Sequence, residues 1–236
     1  MQATSEEVQF GAAEFIYLEP RPRSTGIARA MNITIALIAL ILISPVMLLF
    51  AVLVKLTSPG PIFYSQPRVG IDRRRSTMGS KKYDPRTADL GGLPFMIYKF
   101  RTMYVGAEQR NGAVWATKED ARVTPIGRIM RKLRVDELPQ LFNVIKGDMD
   151  IVGPRPERPS IFSRLRQLIA DYPLRQRIRP GITGWAQINQ CYDTCLDDVR
   201  RKVRYDLEYL LQRQGIREDL RIMAKTLVVM LRKGGW

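Results

Sequence analysis

An uncharged apolar segment near the N-terminus constrains this chain more than any other feature. From Ile33 to Val54 nearly every residue is apolar and none is charged. About 22 helical residues rise roughly 33 Å, which is enough to cross the hydrocarbon core of a bilayer. Ser44 and Pro45 lie near the middle of the segment. A proline there removes one backbone hydrogen bond and clashes with the preceding turn, so the sequence predicts a membrane helix that is broken or kinked at this pair.

Positive charge on both sides of the segment bears on its topology. The basic residues that flank it are Arg21, Arg23, Arg29, Lys55 and Arg68. Positively charged flanks stay in the cytoplasm, and each half of a broken helix, roughly 14–17 Å long, is too short to span alone. The segment could therefore enter the membrane and return on the same side. A spanning helix with a mild kink agrees equally well with the residues alone, because membrane helices tolerate proline.

Composition limits the chemistry of the rest of the chain. The 236 residues carry a formal net charge of +15 and include no histidine. Anionic partners are expected, and carboxylates and cations must carry any catalysis. Cys191 and Cys195 lack a second cysteine pair or a histidine that would complete a zinc site. No glycine-rich phosphate loop of the Walker or dinucleotide type is present.

The candidate reactive groups are the adjacent carboxylates of Asp136 and Glu137. Pro139 and Gly147 predict a short helix over residues 138–146, with both carboxylates at its N-terminus. The helix dipole and nearby arginines should lower the pKa of both groups and keep them ionised. An ionised carboxylate among cations is a nucleophile or a metal ligand rather than a proton donor. On composition alone, a solvated charge on a surface helix explains the pair equally well.

Two further patterns place cations on rigid backbone. Residues 95–103 alternate apolar and polar and predict a strand with Lys99 and Arg101 on one face. Such a face suits a diphosphate, although an isolated pair of this kind is more often solvated. Arg155 stands between two prolines, which fix its backbone and would limit the entropy that it loses on gripping a ligand. Taken alone, that segment would be an ordinary loop.

The sequence from Arg131 to Pro156, RKLRVDELPQLFNVIKGDMDIVGPRP, resembles the signature of the bacterial sugar transferases, the monotopic phosphoglycosyl transferases. Members of that family move a phospho-sugar from a nucleotide diphosphate sugar to a polyprenyl phosphate at the cytoplasmic membrane. The resemblance covers about residues 31–70, 94–104 and 122–232. A basic insertion at residues 71–92 interrupts it.

The resemblance also fails at one position that bears on the sugar. Some members of the family carry an N-G-R motif whose arginine contacts the substrate. This chain has Asn189, Gln190 and Cys191 there, so that contact is missing or supplied elsewhere. The sequence therefore leaves the sugar open, together with the polyprenol length and the pathway.

The fold that the resemblance implies is α+β and mostly helical, with a re-entrant membrane helix, interfacial amphipathic helices and a few short strands. The predicted organisation is an N-terminal arm (1–28), a re-entrant helix (29–56) and a catalytic domain (57–236) that includes the basic loop. Helices are predicted at residues 125–133, 160–179 with a break at Pro173, 197–213 and 217–232. The apolar face of the last helix fits either a membrane interface or a protein core.

The resemblance assigns roles to these residues. Asp136 would attack the β-phosphorus of a UDP-sugar and carry the phospho-sugar, with release of UMP. Glu137, together with Asp136, would hold Mg²⁺. The cations expected to bind the phosphates are Lys99, Arg101, Arg131, Arg155 and Arg179. Ser44 and Pro45 would kink the membrane helix, and Trp185 is expected to be structural rather than interfacial.

Two functions are consistent with these features. The first is phosphoglycosyl transfer from a UDP-sugar to polyprenyl (undecaprenyl) phosphate at the cytoplasmic face of the bacterial inner membrane. Its expected partners are those two substrates and membrane lipids, without nucleic acid, and a homodimer is compatible with the sequence. The second is a non-catalytic, membrane-anchored basic adaptor that binds anionic lipid or nucleic acid. An adaptor needs cations and an apolar anchor but has no use for Asp136 and Glu137.

Overall fold

The structure, a computed structural model, describes residues 25–72, 91–107, 120–190 and 195–233. These residues form an α+β domain that is mostly helical, as predicted. Most of the predicted N-terminal arm, most of the basic insertion and Cys191 lie outside the described residues.

The apolar segment forms one continuous helix, α1, over Thr25–Thr57. The helix is not broken at Pro45, and the predicted kink at Ser44 and Pro45 stays a prediction. Proline leaves the carbonyl of Ile41, four residues earlier, without its usual N–H donor. The Ser44 hydroxyl donates to that carbonyl instead, at 2.9 Å. A side chain next to the proline thus restores the lost bond, as is common in apolar helices.

The N-terminal end of α1 is bonded to the domain. The Arg29 guanidinium donates to the carbonyls of Val144 and Ile145, at 2.5 and 2.7 Å. The side-chain oxygen of Asn32 accepts a hydrogen bond of 2.8 Å from the Ile151 N–H. Both side chains reach backbone groups more than 100 residues away in sequence. This end of α1 is therefore part of the domain rather than a free stalk.

The C-terminal end of α1 packs against the same domain. Phe50 and Val54 belong to a hydrophobic cluster with Phe100, Met130 and Val135. Between the two ends, the apolar residues that are exposed include Ile38, Ile41, Leu42, Leu48 and Leu49. α1 thus contacts one domain at both of its ends and presents an apolar surface along its middle.

Four short strands form two separate pairs. β1 (Phe63–Val69) and β2 (Pro94–Phe100) are antiparallel, and β2 corresponds to the strand predicted at residues 95–103. β3 (Asp150–Val152) and β4 (Gly181–Thr183) are parallel and were not predicted. The second pair joins the segment after the carboxylates to the segment around Arg179.

The predicted helices are confirmed, with shifted bounds, and one further helix, α5, was not predicted. After α1, the helices of the described residues are α2 (Pro125–Lys132), α3 (Gln140–Lys146), α4 (Pro159–Leu168), α5 (Trp185–Asn189), α6 (Leu196–Glu208) and α7 (Ile216–Lys233). Thr124 caps α2 by accepting a bond from the Gly127 N–H at 3.0 Å. Gly147, with φ +91°, ends α3 in the left-handed conformation that glycine favours. The chain is 3-10 helical at Tyr172–Arg177, beside the predicted break at Pro173.

α7 keeps much of its apolar face out of the core. Leu220, Leu227 and Val228 are 49%, 65% and 47% exposed, whereas Ile222 is fully buried. Met223, on the predicted apolar face, packs against the core cluster, so this face is divided between the two alternatives. Trp185, in contrast, is buried and donates to the Glu208 carboxylate at 2.9 Å, which confirms its structural role.

Candidate active site

Asp136 and Glu137 lie in a short 3-10 turn, Val135–Glu137, between α2 and α3. Arg134 enters this turn with φ +57°, the one positive φ of a non-glycine residue in the described ranges. A left-handed residue reverses the chain direction sharply at a modest energetic cost. After the reversal both carboxylates are buried, at 8% and 9% exposure. The idle, solvated alternative for the pair is therefore wrong.

Glu137 forms ion pairs with two cations from different parts of the chain, Lys99 and Arg155. Its Oε1 lies 2.8 Å from Lys99 Nζ on β2 and 2.5 Å from Arg155 Nη2, while Arg155 Nη1 reaches Oε2 at 3.3 Å. Burial by itself would raise the pKa of the Glu137 carboxyl. The charges and hydrogen bonds of Arg155 and Lys99 outweigh burial and hold that pKa well below its usual range. Glu137 is therefore a firmly ionised group.

Asp136 stands in the same turn without a hydrogen bond to any residue that the structure describes. Burial, followed by the charge of Glu137, raises the pKa of the Asp136 carboxyl, and the nearby cations only partly oppose this rise. The prediction of a lowered pKa is thus confirmed for Glu137 and wrong for Asp136. The cations bond to Glu137, which leaves Asp136 the more basic carboxylate and the one with free lone pairs.

Lys99, Arg131 and Arg155 surround the carboxylates as predicted. Arg131 Nε donates to Thr102 Oγ1 at 3.0 Å, and its charge acts on Asp136. Burial lowers the pKa of Arg131, and the charge of Asp136 opposes that effect. Three cations thus converge on two carboxylates.

Arg101 is not part of this group. β2 ends at Phe100, so the alternation that would place Arg101 beside Lys99 stops one residue too early. The buried guanidinium donates instead to the carbonyls of Ser58 and Pro59, at 2.8 and 2.5 Å. Those carbonyls follow the end of α1, where backbone acceptors lack helical partners. The structure therefore gives Arg101 a role in fixing the end of α1, and the geometry does not support the predicted phosphate contact.

Arg179 lies beside the turn that carries Arg155. Its backbone carbonyl approaches Gly153 so closely that a Cβ there would be 2.4 Å from the Arg179 oxygen. Its buried Nε has no hydrogen-bond partner among the described residues. Arg179 thus neighbours the site with an unused donor, but it forms no hydrogen bond to either carboxylate.

Two cavities that the sequence did not predict adjoin at Phe142. The first, of about 350 Å³, is lined by Phe63, Ser65, Tyr98, Pro139 and Phe142. A second cavity, of about 380 Å³, is lined by Leu40, Ile41, Ser44, Met47 and Phe142. Phe142 on α3 is 45% exposed and borders both cavities. Together the two cavities form a groove on either side of Phe142, bordered by the middle of α1 at one end and by Tyr98 and Pro139 at the other.

Comparison with known proteins shows the family of this chain. Residues 23–233 match the family described as Bacterial sugar transferase. This chain belongs to the bacterial sugar transferase family. The match includes α1, both carboxylates and the segment around Arg155, which confirms the resemblance found in the sequence.

Three curated relatives illustrate the range of this sugar transferase family. A UDP-N-acetylgalactosamine-undecaprenyl-phosphate N-acetylgalactosaminephosphotransferase from Aeromonas hydrophila is 42% identical over 214 residues, which are 91% of this chain and 46% of the relative. A UDP-glucose:undecaprenyl-phosphate glucose-1-phosphate transferase from Escherichia coli (strain K12) is 41% identical over 184 residues, which are 77% of this chain and 35% of the relative. A protein of that second name from Caulobacter vibrioides is 35% identical, over 86% of this chain and 69% of the relative. This chain thus spans between about a third and a half of the length of the first two.

Asp136 and Glu137 are the residues of this sugar transferase that could hold a metal ion. No cluster of three or more metal-binding side chains occurs in the ranges that the structure describes. Mg²⁺, however, is usually held by one or two carboxylates together with substrate phosphates and water. The free Asp136 carboxylate beside Glu137 fits an ion that arrives with a phosphate. It does not fit an ion enclosed by protein alone.

Proposed function

We propose that this sugar transferase moves a sugar phosphate from a UDP-sugar to undecaprenyl phosphate, through a covalent phospho-sugar on Asp136, as the first membrane step of glycoconjugate or exopolysaccharide synthesis. The names of its relatives support both substrates. The observation that carries the proposal is the contrast between the carboxylates. Glu137 takes the ion pairs, while Asp136 keeps its lone pairs free in the same cationic surroundings. The adaptor alternative has no use for such an arrangement.

In the first step an Asp136 oxygen attacks the β-phosphorus of the UDP-sugar. A new bond between that oxygen and phosphorus forms, and the bond from phosphorus to the bridging oxygen breaks. The bond electrons leave with UMP, and the sugar stays on the phosphorus. Carboxylates act as covalent phosphoryl acceptors in this way in other enzymes. Lys99, Arg131 and Arg155 would offset the repulsion between an anionic nucleophile and an anionic diphosphate.

In the second step a phosphate oxygen of the lipid attacks the same phosphorus. The bond to Asp136 breaks, its electrons return to the carboxylate, and the product is a polyprenyl diphosphate sugar. Mg²⁺ is part of the proposal: Asp136 and Glu137 would hold it together with phosphate oxygens, and it would supply positive charge there. Arg179, with its unused donor, is proposed as a further phosphate contact.

The groove around Phe142 supports a lipid acceptor. Its far end is bordered by the middle of α1, which is the apolar and exposed part of that helix. Its near end is bordered by Tyr98 and Pro139, the sequence neighbours of the catalytic group. The hydrocarbon of an isoprenoid chain in the groove would contact apolar side chains, and only its phosphate would lie outside them. The hydrophobic effect therefore favours delivery of that phosphate to Asp136.

The general reaction is tested by its products. The purified chain is incubated with undecaprenyl phosphate and a panel of UDP-sugars that includes UDP-glucose and UDP-N-acetylgalactosamine, the donors in the names of its relatives. We expect release of UMP with at least one donor. Release of UDP would show transfer of the sugar without its phosphate and would contradict the proposal. The panel also identifies the sugar, which the missing N-G-R arginine leaves open.

We further propose that α1 is re-entrant and that both of its ends lie on the cytoplasmic face of the inner membrane. Its two ends are fixed to one domain, by Arg29 and Asn32 at the start and by Phe50 and Val54 near the end. Its exposed apolar middle and the exposed face of α7 would enter the lipid. A helix that crossed the bilayer would have to abandon one set of contacts.

Cysteine labelling tests this topology. Single cysteines at Gly26 and at Leu56, in a background with Cys191→Ser and Cys195→Ser, mark the two ends of α1. Both positions are exposed, and a side chain at residue 26 meets no atom within 4 Å. In intact spheroplasts we expect an impermeant maleimide to label neither cysteine, and in permeabilised cells to label both. External labelling of one end alone would show a spanning helix.

Arg155 provides a test of the phosphate contacts. We expect Arg155→Lys to lower kcat/KM for the UDP-sugar by about 10- to 100-fold, because lysine cannot form the bidentate hydrogen bonds that a guanidinium forms with a phosphate. The exposed Arg164 on α4 gives a matched control, and Arg164→Lys should leave kcat/KM within about 3-fold. Steady-state kinetics with radiolabelled UDP-sugar measures both. Equal rates for the two variants would remove Arg155 from the proposed mechanism.

A further inference from the structure

A buried ion pair outside the active site contacts the main chain of Arg155. Arg175 and Asp206 have side-chain exposures of 0% and 3%, and Arg175 Nε lies 2.6 Å from Asp206 Oδ2. The same guanidinium donates through Nη1 to the Tyr172 hydroxyl at 2.9 Å. It donates through Nη2 to the Arg155 carbonyl at 3.2 Å. Arginine can bond in three directions because its donors form a rigid planar fork.

The segment that receives this bond is held along its whole length. The carbonyls of residues 154–157 each accept a hydrogen bond from a distant part of the chain. The donors are the Gly181 N–H to Pro154 (2.9 Å), Arg175 Nη2 to Arg155 (3.2 Å), Arg68 Nη1 to Pro156 (3.2 Å) and the Val69 N–H to Glu157 (2.9 Å). Because two of the four residues are prolines without an N–H, these carbonyls are the main polar groups by which the segment can be fixed.

Stability alone does not account for a charged pair at this place. The cost of removing two charges from water offsets most of their attraction, and an apolar pair of similar volume is often as stable. An apolar pair, however, could not hold the Arg155 carbonyl. The Arg155 side chain in turn reaches both oxygens of Glu137. The bonds therefore continue from Asp206 through Arg175 and the Arg155 main chain to the carboxylates.

We propose that Arg175, oriented by Asp206, is a positioning residue for Arg155. It holds the Arg155 backbone where the guanidinium reaches Glu137 and the diphosphate of the donor. This inference rests on the proposed function, since it gives Arg155 a ligand to bind. Arg175 itself touches neither carboxylate, so its effect on transfer must pass through Arg155.

A double-mutant cycle tests this route. The paired replacement Arg175→Met with Asp206→Leu exchanges the ion pair for apolar side chains. Because the Tyr172 hydroxyl and the Arg155 carbonyl lose their donor, the melting temperature should fall modestly while the variant still folds. We expect it to lower kcat/KM for the UDP-sugar by about 10- to 100-fold, because a displaced Arg155 guanidinium no longer aligns the diphosphate with Asp136. In an Arg155→Ala background the same replacement should cost less than about 3-fold, because no guanidinium remains to be positioned. Equal losses in both backgrounds, or no loss in either, would overturn the inference.

The matched control is the ion pair between Lys202 and Glu157, at 2.9 Å. Lys202 lies one turn from Asp206 on α6 and holds a side chain of the same segment rather than the Arg155 carbonyl. Lys202→Met with Glu157→Leu should change kcat/KM by less than about 3-fold in either background. If the first pair of replacements does not fold, Arg175→Lys takes its place. It keeps a charge beside Asp206, but one ammonium group cannot also hold the Arg155 carbonyl, so the same non-additive loss is expected.

The two proposals fail in different ways. An unmodified chain that releases no UMP from any UDP-sugar removes the proposed function and this inference with it. An unmodified chain that releases UMP, together with an Arg175 variant whose loss is additive with that of Arg155→Ala, removes this inference alone.

Discussion

Asp136→Asn is expected to lower the rate of transfer by at least about 10³-fold, because an amide oxygen cannot form the phosphoryl bond that a carboxylate forms. The variant should still fold. Burial and the charge of Glu137 already disfavour the ionised form of Asp136 and raise its pKa. A neutral side chain of the same shape therefore relieves a repulsion, and the melting temperature should not fall. UMP release measures the rate, and differential scanning calorimetry measures the stability.

The control for this variant is Asp197→Asn. Asp197 lies in the first turn of α6, its side chain is 77% exposed, and it is paired with Arg200. This variant should transfer at the rate of the unmodified chain. Intact-mass spectrometry after incubation with the UDP-sugar alone should show a phospho-sugar adduct on the control and none on Asp136→Asn. A near-normal rate for Asp136→Asn, or an adduct that maps to a different peptide, would exclude covalent catalysis by Asp136.

Chelation of divalent ions is expected to have the next largest effect, a loss of about 10²-fold or more. The site holds two carboxylates and the three cations Lys99, Arg131 and Arg155, a formal charge of +1. The diphosphate of a UDP-sugar brings two negative charges and makes the net charge of the site negative. Charges in a buried site interact strongly, so this negative net charge opposes attack by an anionic oxygen. A divalent cation beside Asp136 would make the net charge positive again.

The experiment measures UMP release in EDTA and after addition of excess Mg²⁺. Activity should disappear in EDTA and return with Mg²⁺, and the melting temperature should stay the same in both, because the described part of the chain contains no cluster of three or more metal-binding side chains. Glu137→Gln provides a second readout, since the loss of one ligand should raise the Mg²⁺ concentration needed for half-maximal activity. Full activity in EDTA would remove Mg²⁺ from the mechanism.

Local signals in the sequence were sufficient to locate the carboxylates. Pro139 and Gly147 predicted the short helix behind Asp136 and Glu137, and the structure ends α3 at Gly147. Such signals act within one turn of the chain, which is why they survive folding. The same is true of the cap on α2 at Thr124.

Features that depend on distant contacts could not be predicted. Alternation placed Arg101 beside Lys99, but the end of α1 competes for its guanidinium through the carbonyls of Ser58 and Pro59. The opposite pKa shifts of Asp136 and Glu137 arise because Lys99 and Arg155 bond to one of the two carboxylates. Nothing in the local sequence distinguishes the two. β3 and β4 are three residues each, too short for alternation to reveal.

The groove also could not be predicted from any sequence pattern. Phe142 is an apolar residue on a short helix, and such a residue normally faces the core. Here it is 45% exposed and borders both cavities, although other residues of α3 pack against α1. The continuity of α1 at Pro45 could not be predicted for a related reason. Ser44 supplies the missing donor locally, which a rule for isolated proline does not include.

The docking of α1 at both ends makes the membrane anchor a component of the domain interior. Ala36 lies in the cluster that contains Val144 and Ile151, and Phe50 and Val54 lie in the cluster that contains Met130. A fragment that began after α1 would expose both clusters to water and leave the carbonyls at the end of α3 without Arg29. If α1 enters lipid as proposed, extraction of this protein is therefore a question of folding stability as much as of solubility. A detergent that loosens α1 would also disturb the domain that carries Asp136 and Glu137.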